Sequence, residues 1–140
     1  MRAVAEFIVA PDAELVVLNE LNAELPALFG APVSVSTSLP SDRPAAFVRV
    51  LVVGGSESSM VVDNPTIAVE CWATREGDAA RLAATASAVL SAAGRAGVMG
   101  GVTCYNVATL ARPQNLPHPD ITDRKRFSFT VSADLRMASI

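Results

Sequence analysis

The sequence predicts an α+β domain. One mostly antiparallel β-sheet of about four to five strands carries two α-helices packed on one face, in the order α-β-β-β-α-β-β. Three observations support this. Phe127 to Met137 alternates apolar and polar residues without a break, as a half-buried antiparallel strand does. Two other segments repeat apolar residues at three- and four-residue steps, as amphipathic helices do. The connections between consecutive strand-like segments are short, which favours hairpins. A chain of 140 residues suits a single domain spanning 1–140.

Residues 11–28 read as the first helix. Leu15, Leu18, Leu21, Leu25 and Leu28 share one face, with acids between them. Pro11 and Asp12 suit its start, because proline costs little in a first turn and an acid favours a helix N-terminus. Pro26 sets the expected end of the regular part near Glu24. Val33 to Thr37 reads as a short strand, and Leu39 to Pro44 as a turn. Phe47 to Val53 is β-branched and apolar on both faces apart from Arg49, and suits a central strand. Gly54 to Ser59 reads as a flexible loop, and Val61 to Asn64 leads into a strand over Thr66 to Ala73. The alanine-rich stretch from Glu76 to Gly94 forms the second helix, with Leu82, Ala86, Val89, Leu90 and Ala93 on one face. Gly94 or Gly97 supplies its C-cap. Val102 to Leu110 is the next strand, and Pro113 to Asp123 a proline-containing loop before the last strand.

Composition bounds the function. The formal charge of -3 opposes a main task of gripping phosphates. Hydrophobic residues make up 51% of the chain, more than the core obviously needs, so some apolar surface is expected to face other subunits. The N-terminus, with Arg2 ahead of a short apolar stretch interrupted at Glu6, lacks the pattern of a signal peptide, and no run suits a membrane helix. A cytoplasmic site of synthesis follows as an expectation. Cys71 and Cys104 sit in apolar segments without metal-ligand spacing and read as buried free thiols, with a cross-strand disulfide as the minority alternative.

No catalytic, cofactor or metal site is expected. His118, the one histidine, lies between two prolines and reads as an exposed loop residue. Glu70, beside Trp72, needs a partner if its face is covered, and Arg49 on the adjacent strand is the candidate. Asp120 and Asp123 read as turn formers. Gly54-Gly55-Ser56 lacks the lysine of a phosphate loop, and Gly97, Gly100 and Gly101 follow a helix instead of preceding one. The basic run Arg124-Lys125-Arg126 reads as a solvated strand start or as a contact for an acidic partner.

Several features in order resemble one family. They are the acidic helix of Asp12 to Leu28, the Leu39-Pro40 turn into Phe47-Val48-Arg49-Val50, and the stretch Asp63-Asn64-Pro65-Thr66 through Cys71-Trp72-Ala73. After the alanine-rich helix come Leu116-Pro117-His118-Pro119-Asp120 and Arg126-Phe127-Ser128-Phe129. Together these resemble the tail terminator (tail completion) proteins of long-tailed bacteriophages. The resemblance implies a homo-oligomeric ring, typically a hexamer, at the head-proximal end of the tail in the virion. It would stop tube polymerisation and dock the head–tail connector. It implies no cofactor, and DNA that passes through without specific binding. On this reading the tube and connector proteins are the partners. The contact residues are sought in exposed loops and on the polar face of the last strand: Arg49, Ser56, Glu57, Ser58, Arg124, Lys125, Arg126, Asp134 and Arg136. The loop over Ser56 to Ser59 either orders on meeting a partner or is a mobile hairpin tip. The rival readings are another head–tail connector or minor tail protein, or a small cytoplasmic enzyme or ligand-binding domain with a polar pocket.

Overall fold

The computed structural model describes residues 6–139. Arg2 lies outside the described residues. In chain order the elements are β1 (Ile8–Val9), α1 (Ala13–Phe29), β2 (Ser34–Ser36), β3 (Ala46–Glu57), β4 (Val62–Ala73), α2 (Glu76–Ala96), β5 (Val98–Met99), β6 (Val102–Asn115), β7 (Lys125–Arg136) and β8 (Ala138–Ser139). Six strands form one sheet in the order β2-β3-β4-β7-β6-β5, and β1 pairs with β8 as a separate ribbon. The fold is α+β and mostly antiparallel, as expected. The strand count is higher than expected, because β1, β5 and β8 are two-residue strands too short to leave a sequence pattern. Also against expectation, β2 runs parallel to β3, with Val35 beside Val48.

Both helices pack on one face of the sheet. The core between them joins Val17, Leu21 and Leu25 of α1 and Leu82, Ala86 and Leu90 of α2 to Val50, Val69, Phe129, Val131 and Leu135 of the sheet. The expected inward face of α2 is the observed one: Leu82, Ala86, Val89, Leu90 and Ala93 are all buried. Gly94 lies where a Cβ would come within 3.0 Å of Val107, so helix and sheet approach too closely for a larger residue. Gly97 ends the helix in the left-handed region, its N–H donating to Ala93 O.

Helix α1 differs from its sequence reading in two ways. Asp12 caps it by accepting from the Leu15 N–H, as expected of its start. The buried stripe, however, is Ala13, Val16, Val17, Leu21, Leu25 and Phe29, while Leu15 and Leu28 are exposed. Val16 and Val17 compete with Leu15 for the core and win. The helix also runs through Pro26 to Phe29. Leu25 and Phe29 are buried on either side of the proline, and their burial offsets the roughly 3 kcal/mol an interior proline costs.

The opposite face of the sheet carries a second, smaller cluster. Phe47 stacks on Trp72 with ring centroids 5.4 Å apart, and Ile121 and Leu39 complete it. Arg124 ties the two covering loops together, donating to Pro44 O and Arg43 O. His118 is half-buried against Trp72 instead of fully exposed, and its Nδ1 accepts from the Asp120 N–H. Cys71 and Cys104 are buried and free, and burial pushes both thiols up.

Candidate assembly surfaces

The residues expected as a flexible loop, Gly54 to Glu57, are a continuation of β3. A bulge between Val52 and Gly54 shifts the register, and pairing with β4 then continues to Glu57 beside Asp63. Glycine is needed at this point. Gly55 has φ +132°, and a Cβ there would lie 2.4 Å from Asn64 O. The turn is reduced to Ser58–Val61, closed by the Ser58 N–H donating to Val62 O at 3.0 Å. The result is a hairpin arm. Its β4 side stays tethered to β7 through Asp63 beside Leu135 and through the Asn64 amide, which donates to Asp134 Oδ1 at 2.6 Å. Met137 N–H donates to Val61 O.

The arm places apolar side chains in solvent. Met60 is 81% exposed, Val53 57% and Val61 52%. Along one side, the arm and the start of α1 border an open hollow of about 500 Å³. Asp12, Glu14, Glu57 and Asp63 are among its lining residues. Glu14 is engaged there, accepting from the Val52 N–H on the open edge of β3. The Asp63 carboxyl is held above its ordinary range, first by burial and further by the nearby charge of Glu57.

The residues expected to make contacts fall into two groups. Ser56, Glu57 and Ser58 lie on the arm, and Asp134 and Arg136 lie on the adjoining end of β7. The other group sits toward the opposite end of the sheet and is mostly engaged within the chain. Glu70, 8% exposed, accepts from Arg49 Nε at 2.6 Å and from Arg126 Nη1 at 2.8 Å. The expected Arg49–Glu70 pair therefore forms, as part of a triad across β3, β4 and β7. Arg126 also lies over the Trp72 ring, 5.4 Å from its centroid. Arg124 serves the loops, and only Lys125 of the basic run is exposed. Val53, Met60 and Val61 were not singled out in the sequence. Their one signal there is large apolar residues on either side of a serine-rich turn.

Among the described residues, no three His, Cys, Asp or Glu side chains converge as metal ligands. No described helix is long and apolar enough to cross a membrane. The hollow near His118 is about 230 Å³, and Arg124, Lys125 and Arg126 line one side of it.

No protein-family model matches the sequence, and no curated protein matches it. Among solved structures the chain is similar to one from the virion of a native gene transfer agent (GTA) particle. The two share 20% identity and a TM-score of 0.51, covering 86% of this chain and 91% of that one. At that identity the likeness shows a shared fold.

Proposed function

We propose that this chain is a non-enzymatic structural component of a phage-like virion. Specifically, it is a tail terminator whose ring caps the head-proximal end of the tail tube and offers the head–tail connector a docking face. The observation that carries this reading is the hairpin arm, which holds Val53, Met60 and Val61 in solvent on a chain whose own core is already closed. Exposed large apolar groups on a defined projection mark a contact surface. The fold shared along nearly the whole of both chains with a protein of a virion particle supports the same reading, as does the resemblance of the sequence to tail terminators.

The ring consists of copies of this chain, a hexamer on the family's pattern, with the tube protein on one side and the connector on the other. DNA passes through it unread. The net charge of -3 suits a channel that does not hold phosphates. Assembly takes place in the host cytoplasm.

Electron microscopy of tube subunits polymerised with and without the purified chain tests the role. Capped tubes of restricted length, with a ring at one end, are the expected result. Tubes of unchanged length with no added density would overturn it. A ring that binds connector protein and never tube would move the assignment to a connector.

A further inference from the structure

Among the exposed apolar surfaces of the described residues, two differ in shape, a projection and a slot. One is the arm. The other is a groove of about 730 Å³ between α1 and α2. Along its α2 wall Ala84, Ala88, Ala92 and Ala96 recur at four-residue steps, all exposed. Leu28 and Val98 edge it, 61% and 51% exposed. No arm residue lines the groove of its own chain.

The charges complement each other along one wall. The arm bears Glu57 and Asp63, with no basic residue between them. The α2 wall bears Arg81 and Arg95, and among the described residues Arg95 makes no ion pair. The α1 wall bears Glu20 and Glu24. Glu20 is engaged, accepting from the Gly100 N–H at 3.0 Å. The acids flanking the turn of the arm thus match the α2 wall of the groove in charge, and not its α1 wall.

We propose that the arm of one copy seats in the α1–α2 groove of the next, with Met60 against the alanines of the α2 wall and Glu57 toward Arg95. This rests on the ring reading above and names its subunit contact. Alanines leave room for a hairpin tip, and an unbranched thioether adapts to an irregular slot. The two patches differ and lie on different parts of the chain, so the contact is heterologous, and such a contact repeated by rotation closes a ring.

Trans-complementation tests it, with mass read by light scattering. Met60→Asp spoils the arm and keeps the groove. Ala88→Arg spoils the groove and keeps the arm. Both sites are exposed, and arginine is a good helix former, so each variant should melt like the parent diluted to its monomer. Val61→Asp and Ala92→Arg replace them if either does not. Each variant alone should be monomeric. Their mixture should give a 1:1 dimer and no larger species, because only one intact contact can form. Variants that still assemble, or a mixture that stays monomeric while the parent forms rings, would overturn the arm–groove contact and leave the ring standing. A parent that is monomeric at every concentration would overturn both.

Discussion

The β3–β4 hairpin has two halves with opposite treatment of the same kind of side chain. In the half from Ala46 to Val50, paired with Val69 to Ala73, every residue except Arg49 is buried. Helices cover one face. The Phe47–Trp72 stack and the Glu70 triad occupy the other. Beyond the bulge at Val52 the same two strands stay paired, but Val53, Met60 and Val61 stand in solvent. The backbone ladder continues and the packing does not. Strand pairing alone rarely sustains an isolated hairpin in water. The arm is therefore held by its tether to β7, its glycines admit the bulge, and Met60, 81% exposed, adds little to the stability of the single chain.

The largest expected effect lies in the packed half. Trp72→Ala removes a fully buried indole and leaves Phe47 without its stacking partner, at a cost of about 4 kcal/mol by denaturant unfolding. A loss under about 1 kcal/mol would mean that the outer cluster is not a second core. Gly55→Val strikes the root of the arm, where both φ and the approach of Asn64 O exclude a side chain. It should cost about 2 kcal/mol, and hydrogen exchange should show the loss concentrated over 53–63, with Val69 to Ala73 still protected. Uniform loss of protection would make the two halves one unit.

Asp63→Asn is the smallest effect and has the opposite sign. Folding raises the Asp63 pKa, so its contribution is present below the ordinary aspartate range and is lost as pH rises through the folded value. At neutral pH the asparagine variant should melt slightly above the parent. That gap should close as pH falls below the ordinary aspartate value. A gap that widens on acidification would show that the carboxylate is stabilised there.

The sequence exposed the packed half well and the arm poorly. Period-two alternation placed β7, and helical periodicity placed the inward face of α2, because burial on one face writes a repeating pattern. The Arg49–Glu70 pair was legible because a carboxylate in an apolar strand needs a nearby cation. Gly54 to Glu57 reads as loop by composition, since glycine and serine carry no burial signal, yet the strand passes through them on a bulge. Pro113 ends the strand pattern on paper, whereas β6 continues past it through a break in register between Ala111 and Gln114. The parallel pairing of β2 could not be read, because three residues do not fix a direction. The groove was hidden for another reason: exposed alanines in a helix look the same as buried ones until the neighbouring helix is placed.

The proposed arm–groove contact requires the arm to serve other chains and not the fold of its own. The most direct measurement is the mass and melting temperature of Met60→Asp beside the parent at equal concentration. The expected result is a parent that assembles and a variant at the mass of one chain. Once the parent is diluted to its monomer, the two should melt together. A variant that still assembles, or one that is monomeric only because it unfolds, would contradict it.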